Sequence, residues 1–369
     1  MRKVVLIFSG YNQRAIVALI RTLKKNNLEY AIIANSKSDP IFSTSYSGKV
    51  LAIRNFQELV LNDMLSSIIS TKEKIVADRF LIAPSSEALN RFLLKNKSKF
   101  EGLSCEIPLA EKSLYEKISD KYTFNKLCIE DNILVPTEYK VVSDIEIPFV
   151  AKPRAYLSRD GVIASPILIM NKMDYDEFFK KNKCEDFYYQ QFLGGRSFYL
   201  LYYFFKDGNI LKFSQENLMQ QPFGKSILAA ISSDFHLDSE SFKYEKLFSS
   251  LNFHGLVMVE IRRFDNQNYM IEANPRLWGP SQLFVDAGIN LFEAFLYDNG
   301  VLHNMPKFLE PKKQTRYFWS GGFLIYSKND NESIVYHNYS AENFKNNFDE
   351  WMSADIYNRE DTKELFKNK

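Results

Sequence analysis

Residues 3–8 form an unbroken apolar run rich in β-branched side chains, the pattern of a strand buried on both faces. Ser9-Gly10-Tyr11-Asn12 then reads as a turn. Ile16, Leu19, Ile20 and Leu23 recur at helical spacing across residues 14–25. A second apolar strand falls at residues 30–34 and a third at 80–83. Pro84-Ser85-Ser86 supplies a turn and a capping signal for a helix over residues 87–94. This β-α-β alternation predicts a parallel sheet dressed with helices over residues 1–115. Its first turn holds one glycine, Gly10, and no G-x-G-x-x-G, which argues against a nicotinamide-binding domain.

The period changes further along. Residues 120–132 have helical spacing, and a strand-like approach leads to Pro148-Phe-Val-Ala-Lys152-Pro153. From Tyr188 the pattern is β-rich, with strands predicted at 188–193, 198–205 and 210–214. The turn Lys206-Asp207-Gly208-Asn209 separates the last two. Helices are predicted at 240–252 and 288–297. Residues 311–369 are richer in Lys, Asn and Asp, contain a short predicted strand at 323–326, and end in polar residues expected to fray. The expected organisation is a βα domain over 1–115, a domain over 116–310 divided near 190/191, and a C-terminal appendage over 311–369.

The densest chemistry lies between Gly255 and Gly279. Residues 257–264 and 269–274 read as apolar strands joined by turn residues 265–268. Glu272 and Asn274 are two apart and share a face. An odd-length loop, such as residues 265–267, puts Glu260 opposite Glu272, whereas a four-residue loop would turn it away; the odd loop is predicted. Pro275 ends the strand and Arg276 follows. A solvated edge hairpin is the plain alternative. Acids on apolar strands need counter-charge, however, and a cluster of hard oxygen ligands suits Mg²⁺ shared with phosphates. The segment therefore points to a nucleoside-triphosphate site.

Bulk properties narrow the partners. A 369-residue chain can hold two or three domains. A net charge of +2 implies no nucleic-acid or anionic-membrane partner. Cys105, Cys128 and Cys184 form no metal-ligand pattern and suit a reducing compartment. No apolar run reaches membrane-spanning length, and the N-terminal run is too short for a signal peptide. A cytoplasmic protein is expected.

Taken in order, Asp-Lys121-Tyr, Phe149-Val-Ala-Lys152-Pro153, Tyr189-Gln190-Gln191-Phe192-Leu193-Gly-Gly195, Glu260, and Glu272-x-Asn274-Pro275-Arg276 resemble the ATP-grasp superfamily. The resemblance is strongest to its carboxylate–amine ligase branch and covers roughly residues 1–305. It implies an α/β plus α+β fold: a βα pre-ATP-grasp domain followed by an ATP-grasp fold of two α+β subdomains. It also implies a reaction in which ATP phosphorylates a carboxylate and an amine displaces phosphate from the acyl phosphate. Under the resemblance Lys152 and Lys121 contact the phosphates, Gln191, Phe192 and Leu193 form the adenine hinge, and Gln190 reaches the adenine amino group. Glu260, Glu272 and Asn274 bind two Mg²⁺ (or Mn²⁺) ions, and Arg276 holds the substrate carboxylate or the charge of the tetrahedral intermediate. Small carboxylates and amines are the implied partners, and a homodimer the implied assembly.

The chain departs from the family pattern at three places. The phosphate-covering loop, residues 154–161, has one glycine, and Arg159 is expected to compensate. Ser197 stands where relatives often carry an acid for the ribose hydroxyls. Gln215 or Lys212 would have to serve as the basic residue of the substrate-side loop. These departures keep two other readings open: an ATP-grasp enzyme with a non-amine, carboxylation-type acceptor, and a nucleotide-binding module without ligase activity.

Overall fold

A computed structural model describes residues 2–307, 309–327 and 333–367. The first apolar runs become a parallel sheet of five strands, β1 (Lys3–Phe8), β2 (Tyr30–Ala34), β3 (Val50–Ile53), β4 (Arg79–Ile82) and β5 (Cys105–Glu106), in the order β3-β2-β1-β4-β5. Helices Gln13–Lys25, Leu61–Lys72 and Glu87–Lys95 cover it. Residues Val4 to Phe8 are fully buried, as a strand clad on both faces requires.

Asp120 then separates the helix expected over 120–132, observed as Lys121–Glu130, from a further short helix, Lys112–Ser119, that was not expected. The Asp120 carboxylate caps Lys121–Glu130, accepting from Tyr122 and Thr123 N–H at 3.1 and 2.9 Å. A small antiparallel sheet follows: β6 (Glu138–Tyr139), β7 (Phe149–Pro153), β8 (Ile167–Ile169) and β9 (Phe187–Gln191), in the order β6-β9-β7-β8.

The central sheet contains β10 (Arg196–Phe204), β11 (Ile210–Gln220), β12 (Ile227–Ser233), β13 (Gly255–Phe264), β14 (Gln267–Asn274), β15 (Arg316–Phe318) and β16 (Val335–Tyr336). Its path is β14-β13-β10-β11-β12-β15, with β16 also paired to β11. Residues alternate between its faces. Phe198, Leu200, Tyr202, Val257 and Val259 pack with Tyr244 and Phe248 of helix Ser239–Ser250. On the other face, Tyr199, Leu201, Leu256 and Met258 pack with Ile16 and Leu19 of the N-terminal helix. That second face turns polar toward one end, where Glu260 and Arg262 follow Met258 at the same two-residue interval.

Two elements differ from the sequence expectation. Residues 323–326 lie inside a helix, Ser320–Ser327, because a four-residue apolar run carries no period of its own. Here the Ser320 N–H is held by the Asp355 carboxylate at 2.6 Å, and Phe323 N–H closes the first turn on the Trp319 carbonyl. Residues 288–297 are not one helix: Gly288, at φ 89°, ends one helix (Gln282–Ala287), and Asn290 caps the next (Leu291–Asp298). The expected appendage is also woven in, since β15 pairs with β12 and β16 with β11.

Candidate active site

The polar end of the central sheet faces the small sheet across a cavity of about 710 Å³. Val150, Leu168, Met170, Phe192 and Leu193 line its apolar side; Lys121, Lys152, Glu260 and Glu272 line its charged side. An apolar slot meeting convergent charges is the form expected of a small-molecule site.

The hairpin β13–β14 sets the carboxylates. Its loop has two residues, Asp265 and Asn266, both left-handed (φ 48° and 58°), and Phe264 pairs with Gln267. That even loop corrects the odd one expected. Glu260 nevertheless sits opposite Glu272, because the register shifts beyond Ile261–Met270 and leaves Ile271 as a bulge. Met270 N–H bonds the Leu134 carbonyl outside the sheet at 2.8 Å. Met270 can thus enter the core while Glu272, two residues on, turns to the cavity face. The bulged Ile271 carbonyl accepts from Lys152 Nζ at 3.1 Å.

Lys121 Nζ is bonded to Glu272 Oε2, Asn274 Nδ2 donates to Glu272 Oε1 at 2.6 Å, and Arg276 Nη2 donates to Asn274 Oδ1 at 3.0 Å. Burial alone would raise Glu272, but the charge and hydrogen bond of Lys121 override it and hold the carboxyl down to about 2. Glu260 is pushed up by burial against the pull of Arg262. Burial and the charge of Lys121 bring Lys152 down to about 8. Cationic side chains thus surround both acids.

Two carboxylates and a carboxamide oxygen fit Mg²⁺ as hard ligands. They also fall short of a full cage, as suits an ion that completes its shell from phosphates and water. Among the described residues no cluster of three His, Cys, Asp or Glu groups exists to hold a metal by itself.

Gln190 is almost fully buried at the cavity wall. Its Nε2 donates to the Pro136 carbonyl at 3.2 Å, leaving Oε1 buried and without a partner. An acceptor in that state suits a ligand amine. Gln191 is tied through its N–H to the Thr137 carbonyl at 2.9 Å, and Phe192 and Leu193 continue along the wall.

Four expected residues are placed elsewhere or otherwise engaged. Ser197 is fully buried and its hydroxyl accepts from Asn217 at 3.0 Å, so it offers nothing to a ribose. Arg159 is half exposed, is absent from the cavity lining, and is held by Asp186 and Glu185. Gln215 is buried and bonded to Asn217, and Lys212 is paired with Glu245 at 2.7 Å. The basic residue on the 222–226 loop is Lys225, which lines the cavity 3.2 Å from the Tyr326 hydroxyl. Arg262, Gln220 and His337 also line it and went unnoticed in the sequence. For Arg262 the signal was present: it stands two residues after Glu260 on one strand, hence on the same face.

A second hollow, of about 820 Å³, contains none of these residues. Its charged lining is held in pairs such as Arg79–Glu106 and Lys97–Glu111.

No family model matches the chain, and no curated protein matches it in sequence. Solved structures do match. The biotin carboxylase–β,γ-ATP complex from Campylobacter jejuni aligns with a TM-score of 0.64 at 16% identity, over 86% of this chain and 74% of that one. N5-carboxyaminoimidazole ribonucleotide synthetase from Thermus thermophilus aligns with 0.61 at 14%, over 85% and 82%. L-amino acid ligase from Bacillus licheniformis aligns with 0.55 at 16%, over 82% and 75%. At these identities the likeness is one of fold.

Proposed function

We propose that this chain, which has the ATP-grasp fold, is an ATP- and Mg²⁺-dependent ligase that joins a carboxylate to an amine. The observation that carries the proposal is the meeting of Glu260, Glu272, Asn274, Lys121 and Lys152 at one end of an apolar slot. Structural neighbours named as an amino acid ligase and as an ATP complex support it.

In this reading Lys121 and Lys152 bind the phosphates. Gln190 takes the adenine amino group, and Phe192 and Leu193 cover the ring. Glu260, Glu272 and Asn274 would hold the two divalent cations, which when bound would supply Lewis-acid stabilisation of phosphoryl charge. A substrate carboxylate oxygen attacks the γ-phosphorus, the bond to ADP breaks, and an acyl phosphate forms. The amine nitrogen then attacks the acyl carbon, loses a proton, and expels phosphate. Arg276, a permanently charged planar fork, balances charge on the carboxylate or the tetrahedral intermediate. The protein's contribution is positioning and charge.

The test is ADP and phosphate release from Mg-ATP with pooled amino acids, dipeptides and amino sugars, for the wild type and Glu272→Gln. Pool-dependent release that disappears in the variant is expected. AMP and pyrophosphate would sink the acyl-phosphate route. A carboxylation-type acceptor is the second reading, favoured by the neighbour named as a biotin carboxylase. Bicarbonate-dependent turnover without an amine would establish it.

A further inference from the structure

A chain of buried contacts runs behind Glu260. Arg262 Nη2 donates to Glu260 Oε1 at 3.2 Å and to Gln220 Oε1 at 3.1 Å. Arg262 Nη1 lies 2.8 Å from His337 Nδ1, and His337 Nε2 lies 2.9 Å from the same Gln220 oxygen. A guanidinium only donates and an amide oxygen only accepts. Arg262 Nη1 also lies 3.2 Å from His337 Nε2, but the closer contact makes Nδ1 the acceptor, and Nε2, facing the Gln220 oxygen, then carries the proton. Gln220, Glu260 and His337 are all more than nine-tenths buried at the cavity wall.

His337 comes from the segment that follows β16, and its position is fixed by backbone. Val335 pairs with Gln220, Tyr336 pairs with Met219, and the His337 N–H bonds the Leu218 carbonyl at 2.9 Å. The guanidinium is thus held by three acceptors from three strands or their ends. It binds one oxygen of Glu260 and leaves Oε2 with no protein partner among the described residues. A free glutamate has several rotatable bonds, and fixing it before the ligand arrives removes that ordering cost from binding.

We infer that His337 is a positioning residue for the divalent cation: it aims Arg262, and Arg262 holds Glu260 with its second oxygen free for the metal. The inference rests on the reading of Glu260 as a metal ligand. The experiment measures Mn²⁺ affinity by electron paramagnetic resonance of the free ion, with a non-hydrolysable ATP analogue present. Affinity for the same analogue in EDTA is measured beside it. His337→Leu keeps the bulk and removes the acceptor; His337→Asn returns an acceptor near the Nδ1 position.

His337→Leu is expected to weaken Mn²⁺ binding about tenfold or more, the usual cost of losing an outer partner of a metal ligand. Its nucleotide affinity in EDTA should fall by clearly less than its Mn²⁺ affinity, because His337 is one of many residues lining the cavity, and His337→Asn should recover most of the cation affinity. Unchanged Mn²⁺ affinity in His337→Leu overturns the inference. So does an equal loss of both affinities that His337→Asn does not rescue, which would make His337 a mere anchor of its segment. A wild type that binds no Mn²⁺ with the analogue would overturn the functional reading itself. Should His337→Leu fail to fold, Gln220→Met, which removes the oxygen shared by Arg262 and His337, takes its place with the same expectations.

Discussion

A lysine buried beside another lysine holds its proton loosely. Lys152 sits in that position, brought down to about 8 by burial and by Lys121. The unfolded chain holds the same proton up to the ordinary lysine value of 10.5. Between these values the unfolded state binds more protons, so stability rises with pH across that window. Phosphate binding needs the ammonium, and ATP affinity should fall as pH passes 8. Lys152→Met is therefore expected to raise the melting temperature at about pH 7, weaken ATP at least about tenfold, and flatten its dependence on pH from about 7 to about 9.5; calorimetry and equilibrium dialysis check each part. Gln190 carries a separate expectation. Its free Oε1 accepts from an amine but is left unpaired by a base bearing a carbonyl there. An unpaired buried acceptor costs about 1–3 kcal/mol, so Gln190→Ala should lower the preference for ATP over GTP about tenfold in competition binding.

The β13–β14 hairpin shows where sequence reading reached and where it stopped. The opposition of Glu260 and Glu272 was legible from period two and the need for clustered acids. The route to it was not. Two left-handed residues make the loop even, and the bulge at Ile271 restores the face. That bulge depends on Met270 finding the Leu134 carbonyl, a contact between segments far apart in sequence. Ser197 failed for a related reason: Asn217 on the neighbouring strand closes over its hydroxyl. The 323–326 run was short enough for Asp355 and Trp319 to decide its state. The loop itself makes a prediction. A β-branched residue resists the left-handed region by about 1–2 kcal/mol, so Asn266→Val should lose about that much stability in urea, whereas Asn266→Gly should lose none.

Across the whole molecule, the last described residues grip the first helix. Arg21 donates to both oxygens of Asp361 at 2.7 and 3.0 Å, to Thr362 and to the Ile356 carbonyl, while the Tyr46 hydroxyl bonds the same aspartate. Burial would raise Asp361, but the bonds from Arg21 and Tyr46 outweigh it and hold the carboxyl below its ordinary range. Its stabilising effect is therefore present above that ordinary value and is lost as pH falls through the depressed one. Asp361→Asn is expected to cost about 2 kcal/mol at neutral pH, the usual loss when part-buried hydrogen bonds to a charged group are removed. The deficit should shrink toward about pH 3 in thermal melts.

The order of strands in the central sheet has a consequence for how the molecule is made. Its members β15 and β16 are added from residues 316–318 and 335–336, beside strands translated about a hundred residues earlier. Ribosomal synthesis proceeds from the N-terminus at roughly 5–20 residues per second. The parallel βα layer can close early, but the outer edge of β12 and the end of β11 beyond its pairing with β10 must wait unpaired for several seconds at that pace. During that interval the nascent chain lacks His337 and one wall of the cavity, so a ligand of that cavity cannot yet favour the folded form. An open strand edge is a template for pairing with another chain, so stalls placed between residues 233 and 316 should be the most aggregation-prone points of translation.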